Sequence, residues 1–274
     1  MTRTAIIAGQ GGLPGLLVAA LRASGQPFLL AEMEGFPADV PGETPLRFRL
    51  ERLVRLLDHL AEAKVDRVVF AGSVRRPQIE PDLFDARTAQ LLPGLLADLQ
   101  AGDDAVLRGF AALFEDWGFT VVGADAVAPD LLPGPGLLTG ALAAADRSDA
   151  ARAATILQGL GALDLGQGAV VVQGLCLAVE TLPGTDAMLA FARLHRAQFG
   201  PDPAGGRGVF YKAPKPGQDR RFDLPVLGRE TVRAVAAAGL AGIAWEAGGV
   251  LLLDREGMLA EAEALGLFLW SRAA

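Results

Sequence analysis

The first 122 residues alternate in a pattern that few folds accept. Four short apolar runs, at 4–8, 28–33, 68–71 and 119–122, are separated by stretches of helical periodicity. A helix carries Leu16 to Ala23, with Pro14 where its first N–H would have no partner. A second runs from Glu51 to Ala63, with Leu53, Leu56, Leu57 and Leu60 on one face. A third runs from about Asp103 to Trp117, with Val106, Leu107, Phe110 and Leu113 at helical spacing. Strands that alternate with helices pair in parallel, under helices on both faces.

A run dense in Pro and Gly, from Pro129 to Gly140, marks a joint. It divides the chain into two domains, 1–132 and 133–274. The second half is a less regular α/β arrangement. Helices are predicted over 148–160, 186–198, 230–238 and 258–264. Strands are predicted at 169–172 and 175–181, turning at Gln173-Gly174, and at 208–212, 243–245 and 250–253.

Composition narrows the function classes. Apolar residues make up 51% of the chain, enough for a real core. The net charge of −7 argues against a general nucleic-acid binder, which needs a basic face. The single cysteine excludes a disulfide framework and a Cys-rich zinc module, and fits a reducing compartment. No signal segment and no spanning helix is read. The mean hydropathy of +0.33 allows contact with a lipidic substrate.

The two histidines, His59 and His195, are too few for a dinuclear His-rich metal centre or a Ser-His-Asp triad. They read as surface or packing residues. The loop Gly9-Gln10-Gly11-Gly12-Leu13-Pro14-Gly15 follows a strand and opens a helix, with Glu32 or Glu34 about twenty residues on. Pro14 stands where a dinucleotide fingerprint has its third glycine. A glycine-rich loop touching some other anionic or sugar ligand fits better, and a plain tight turn remains open.

Two segments point to phosphate chemistry. Between Lys212 and Asp223 lie Lys212, Lys215, Arg220 and Arg221, stiffened by Pro214 and Pro216. Lys212 and Lys215 are the candidates for neutralising phosphoryl charge, and a nearby carboxylate could hold a metal or a water. A solvated charged loop is the competing reading. The second segment, Glu180 to Asp186, ends a strand and enters a helix whose first N–H groups suit an anion. Simple helix capping by Thr185 or Asp186 would look the same. With so few His and Cys, any metal must be held by oxygens. Asp223, Asp186 and Glu180 are the candidates, Asp103 and Asp104 the weaker ones, and such ligands suit Mg²⁺ or Mn²⁺.

Taken together, several segments resemble the LpxI family, the UDP-2,3-diacylglucosamine pyrophosphatases of lipid A biosynthesis. They are Ile7 to Pro14, Phe70 to Pro77, Gly102-Asp103-Asp104-Ala105, Asp164 to Gly168, Glu180 with Gly184 to Leu189, Lys212 to Pro216, and Asp223-Leu224-Pro225. Ser73 stands where that pattern leads one to expect Asn. The resemblance implies a Rossmann-like N-terminal parallel-sheet domain and a C-terminal α/β domain of distinct fold. It implies Mg²⁺-dependent hydrolysis of the pyrophosphate of UDP-2,3-diacylglucosamine to 2,3-diacylglucosamine 1-phosphate and UMP. Asp223 would be the critical catalytic residue, and Gly11, Gly12, Ser73, Val74, Gln167, Gly184 and Thr185 would contact substrate. The host would be Gram-negative and the enzyme cytoplasmic, with peripheral contact to the inner membrane possible. At the joint, Leu131, Leu132, Leu137 and Leu138 are expected to include residues that border the lipid or the hinge, with capping of the two cores as the competing reading. A nucleotide-sugar or dinucleotide-binding protein without hydrolase activity is the alternative.

Overall fold

The computed structural model describes residues 2–74, 79–91, 103–202, 206–222 and 224–273, without the side chains of 103–106. The chain forms two compact units, Met1–Pro129 with Asp219–Asp223, and Asp130–Gln218 with Leu224–Ala274.

The described residues of the first unit form one sheet. Its strands are β1 (Thr4–Ala8), β2 (Phe28–Met33), β3 (Leu46–Phe48), β4 (Arg67–Ala71) and β5 (Thr120–Val122), in the order β3-β2-β1-β4-β5. Every pairing is parallel. The helices are α1 (Leu13–Ala23), α2 (Leu53–Glu62), the one-turn α3 (Ala86–Ala89) and α4 (Asp103–Asp116). Strand alternation sends Ala5 and Ile7 to one face, where they pack with Leu53, Leu57 and Leu60 of α2 and Phe114 of α4. Ile6 lies on the opposite face, and α1 buries Leu17, Val18 and Leu21. Each fully buried side chain of this size contributes about 1.5–3 kcal/mol. β3 is missing from the sequence reading because three residues are too few to show a period.

The second unit has β6 (Gly136–Thr139), α5 (Ala144–Gly161), β7 (Gly168–Val172), β8 (Leu175–Val179), α6 (Gly184–His195), β9 (Val209–Lys212), β10 (Val226–Leu227), α7 (Arg229–Ala237), β11 (Gly242–Glu246), β12 (Leu251–Leu252), α8 (Arg255–Ala264) and β13 (Phe268–Arg272). Six strands make a mixed sheet in the order β6-β13-β11-β9-β7-β8. β9, β11 and β13 are parallel, while β7 runs against both its neighbours and β6 against β13. α5 covers one face with Ala150, Ala153 and Leu157 over Val171, Val209 and Tyr211. α6, α7 and α8 cover the other, with Leu189, Val235 and Met258 over Phe210, Ile243 and Trp245. β10 and β12 form a separate short parallel pair.

Three expectations need correction. The run from Pro129 to Gly140 is more than a joint, because 136–139 form edge strand β6. Leu131 there is buried, Leu138 packs against the second core, and Leu137 is exposed. α5 begins four residues before Ser148, because the Asp146 carboxylate accepts the N–H of Ala143 at 2.9 Å and stabilises an earlier turn. β13, absent from the sequence reading, pairs with β11 inside the sheet.

Candidate functional site

In the first unit the strand order reverses at β1 and β4, the switch point where such sheets bind ligands beyond their carboxyl ends. The loops leaving these two strands are zipped together. Gln10 N donates to Ser73 O and Ser73 N to Gln10 O, each at 2.9 Å. Glycine is required here by contact. A Cβ on Gly9 would lie 2.5 Å from Ser73 O, and one on Gly72, at φ +91, 2.6 Å from Gln10 O. So Gly9 and Gly72 serve loop-to-loop packing. Gly11 and Gly12 are different: a Cβ on either would meet open space. Gly12 caps α1 without a side-chain bond, so the helix start carries N–H groups that no cap side chain covers. Ser73 and Val74 are exposed beside them. The four substrate-contact candidates of this unit thus share one end of its sheet.

The dinucleotide reading loses its acid. Glu32, at the end of β2, is buried and accepts from Arg47 Nε at 2.9 Å and from Ala38 N at 2.9 Å. It is committed to holding the β2–β3 connection, and Glu34 is paired with Arg49 at 3.5 Å.

In the second unit, β9 and β8 run antiparallel to β7, on either side of it, so Lys212 at the end of β9 and Glu180 just after β8 reach the same end of the sheet. Lys212 Nζ donates to Thr185 Oγ1 at 2.6 Å, and Thr185 Oγ1 donates to Glu180 Oε1 at 2.9 Å. The ammonium lies 3.8 Å from Glu180 Oε2. That oxygen is buried and has no hydrogen-bond partner among the described residues. Lys212 is only 6% exposed. A lysine is rarely buried without a partner, and Glu180 and Thr185 help keep this charge in place. Gly184 and Thr185 also open α6, which adds the positive end of a helix dipole.

A second layer holds these groups. Glu180 N donates to Gly168 O at 2.7 Å, and a Cβ on Gly168 would lie 2.7 Å from Glu180 Oε2. Ala213 N donates to Gln167 O at 3.0 Å. Gln218 Oε1 accepts from Gln167 Nε2 and from Lys215 N, both at 3.0 Å. Lys215 Nζ reaches Asp164 Oδ1 at 2.6 Å. Gln218 escaped the sequence reading because a neutral residue among four cations carries no charge signal.

The structure therefore brings Lys212, Thr185, Glu180, Gly184, Gln167 and Lys215 into one neighbourhood. Asp186 is exposed on the next position of α6 and takes no part in that chain of bonds. Asp223 lies outside the described residues. Asp103 and Asp104 open α4 in the first unit, where their side chains are not described. Arg221 belongs to the first unit too, pairing with Glu115 and Asp219 at 2.7 Å each. Its guanidinium holds the Asp219 carboxyl below the usual carboxylate range.

Among the described residues no three His, Cys, Asp or Glu side chains are grouped as a metal site. Besides Asp164, which is paired with Lys215, the described part of the neighbourhood offers Glu180, whose Oε2 suits a hard cation but does not make a ligand set.

Comparison with known proteins agrees with this architecture. The model of the LpxI N-terminal domain matches residues 3–131, and that of the LpxI C-terminal domain matches 134–270. A relative from Caulobacter vibrioides, the UDP-2,3-diacylglucosamine pyrophosphatase LpxI, is 38% identical over 275 residues, covering 98% of this chain and 96% of its own length. Matched along nearly its whole length and in both halves, the chain belongs to the LpxI family.

Proposed function

We propose that this chain hydrolyses the pyrophosphate bond of UDP-2,3-diacylglucosamine, releasing 2,3-diacylglucosamine 1-phosphate and UMP. The observation that carries the reading is the buried Lys212, fixed by Thr185 and Glu180 at the mouth of α6, in a chain 38% identical to a pyrophosphatase of that name. A pyrophosphate diester brings negative charge that grows on the leaving oxygen. A cation already oriented in a poorly hydrated site stabilises that charge without reorganising. The N–H groups opening α6 act in the same sense. Lys215, held on the neighbouring loop by its Asp164 pair and by Gln218, is the second cation. Gly11, Gly12, Ser73 and Val74 supply substrate contacts of the other kind, through backbone N–H groups and one hydroxyl.

Asp223 is the proposed catalytic carboxylate, positioning a water or a metal. Mg²⁺ is the proposed cofactor, with Asp223 and Glu180 as oxygen ligands and the exposed Asp186 as the weaker third. When bound it would neutralise phosphoryl oxygens. No helix among the described residues is long and apolar enough to cross a membrane. A two-tailed substrate calls for peripheral contact with the inner membrane of a Gram-negative host, and we propose that the enzyme works from the cytoplasmic side.

The test is incubation of the purified chain with UDP-2,3-diacylglucosamine and Mg²⁺, followed by mass spectrometry for UMP and the lipid phosphate. Release of both supports the reading. Binding of the nucleotide sugar with no UMP formed would overturn it. Chelation by EDTA should stop turnover and Mg²⁺ restore it, and full activity in chelator would remove the metal from the scheme.

A further inference from the structure

One pair of polar side chains near Lys212, Gln167 and Gln218, has no part in the proposed chemistry. Gln167 stands just before β7, between two glycines that pass against Glu180. A Cβ on Gly166, at φ +56, would run into Glu180 O, and one on Gly168 would lie 2.7 Å from Glu180 Oε2. On its other side Gln167 O accepts from Ala213 N at 3.0 Å, where the chain leaves Lys212. The backbone of Gln167 is thus fixed beside the Lys212, Thr185 and Glu180 group, and the residue is half-buried there.

The two ends of a glutamine amide have the same shape and opposite hydrogen-bonding character, and here the network sets which end is which. A backbone N–H can only donate. Lys215 N donates to the Gln218 amide at 3.0 Å, so the atom it meets is the carbonyl Oε1. Gln218 N donates back to Lys215 O at 3.2 Å, which closes the turn 215–218 on itself. The same Oε1 lies 3.0 Å from the amide of Gln167, and an acceptor at that place demands Nε2. The nitrogen of Gln167 is therefore anchored to the loop. Its Oε1 accepts no hydrogen bond among the described residues. A free acceptor is unsuited to phosphoryl oxygens, which are acceptors themselves, and suited to an O–H or N–H group.

We propose that Gln218 is a positioning residue, which orients the amide of Gln167 so that the Gln167 carbonyl reads a neutral hydrogen-bond donor of the substrate and not its pyrophosphate. This rests on the proposed substrate, whose donors include the sugar hydroxyls and the uracil N–H. The ionised pyrophosphate has none. Such a bond is made to the substrate and to the transition state alike, so it acts on binding more than on turnover.

Gln167→Met and Gln218→Met keep the length of the side chain and remove its polar atoms. Each should raise KM for UDP-2,3-diacylglucosamine about 3- to 10-fold, the loss expected of one neutral hydrogen bond, with kcat within about twofold. Because Gln218 acts through Gln167, the double variant should be no worse than Gln167→Met alone. Substrate analogues then locate the donor, one methylated at the uracil imide nitrogen and a set each lacking one sugar hydroxyl. One of them should raise KM in the unsubstituted chain by the same factor and make no further difference in Gln167→Met. Additive effects of the two variants, a fall in kcat at unchanged KM, or analogues that lose as much in Gln167→Met as in the unsubstituted chain would overturn the proposal. Should the chain release no UMP, the same series is read as Kd by calorimetry on the intact UDP-glycolipid, which separates failure of the reaction from failure of the orienting role. Absence of binding would overturn both.

Discussion

The two units present functional groups by different means. In the first, a parallel sheet ends in glycine loops and an open helix start, and what faces outward is mostly backbone. In the second, a mixed sheet brings a buried lysine, a threonine and a glutamate together from three separate elements. The first arrangement tolerates changes of side chain but not of backbone spacing. The second also needs glycine where Gly166 and Gly168 pass close to Glu180, and it is sensitive to single polar atoms.

The sharpest tests concern the charged groups of the proposed site. Asp223→Ala should lower turnover by about a thousandfold or more while leaving the melting temperature within a few degrees, since losing a group that orients a metal or water removes several kcal/mol of transition-state stabilisation. Near-normal turnover would show that the assignment is wrong. Lys212→Ala should come next. A charge-assisted hydrogen bond contributes about 1.5–3 kcal/mol, so kcat/KM should fall about 10- to 100-fold, and Glu180 would be left buried beside an empty place. Lys215→Ala should cost less, because its Asp164 partner is exposed and such pairs contribute under about 1 kcal/mol. Equal effects at the two lysines would erase the distinction drawn between them.

Backbone tests come next in size. Gly9→Ala must push Ser73 away and should destabilise the first unit by about 1–3 kcal/mol, read as a lower denaturant midpoint. Gly12→Ala, at φ −79 and facing open space, should leave stability unchanged within about 0.5 kcal/mol. If that loop contacts substrate, the same variant should raise KM. Unchanged stability and KM together would reduce the loop to a plain turn.

Acidification should separate the units most gently. Burial pushes the carboxyls of Asp146 and Asp149 up, against the N–H groups they accept from. A carboxyl raised in the folded state favours folding when protonated. The second unit should therefore gain stability as pH falls from neutrality through these raised values, a gain complete below about 4. In the first unit the signs are opposite. Asp219 is lowered by Arg221, and Asp85 by the N–H of Thr88. Burial alone would raise Glu51, but the N–H of Glu80 and Arg49 outweigh it. Their contribution is present above about 4 and lost as pH falls through the lowered values. Hydrogen exchange at pH 7 and 5 resolves the units separately. Asp149→Asn should flatten the trend in the second, and no change in slope would refute the assignment.

The N-terminal strand–helix alternation was legible because each element there spans several turns or residues of one period. So was the hairpin at Gln173-Gly174, whose two residues take positive φ, 52 and 77, as such a turn demands. β13 was not legible. Its run Phe-Leu-Trp-Ser-Arg ends in polar residues, and the burial of Ser271 comes from packing that sequence does not display. Lys212 was found as part of a charge cluster, but the reason it is fixed lies in Thr185 and Glu180, 27 and 32 residues earlier. No local pattern links those positions. The roles of Gly9 and Gly168 were hidden for the same cause: each glycine answers to a neighbour remote in the chain.

Residues 219–223 are counted with the first unit although the chain on either side belongs to the second. Phe222 packs tilted against Phe70 with ring centres 4.9 Å apart, and Arg221 binds Glu115. The N-terminal half is therefore not a cassette that can be cut out at the family boundary near residue 131. Expressed alone it would lack a piece of its own packing, and Phe70 would lose an aromatic neighbour. Gene fusions, circular permutations and domain exchanges among relatives would have to carry this short return segment with them. The chain passes between the two halves more than once.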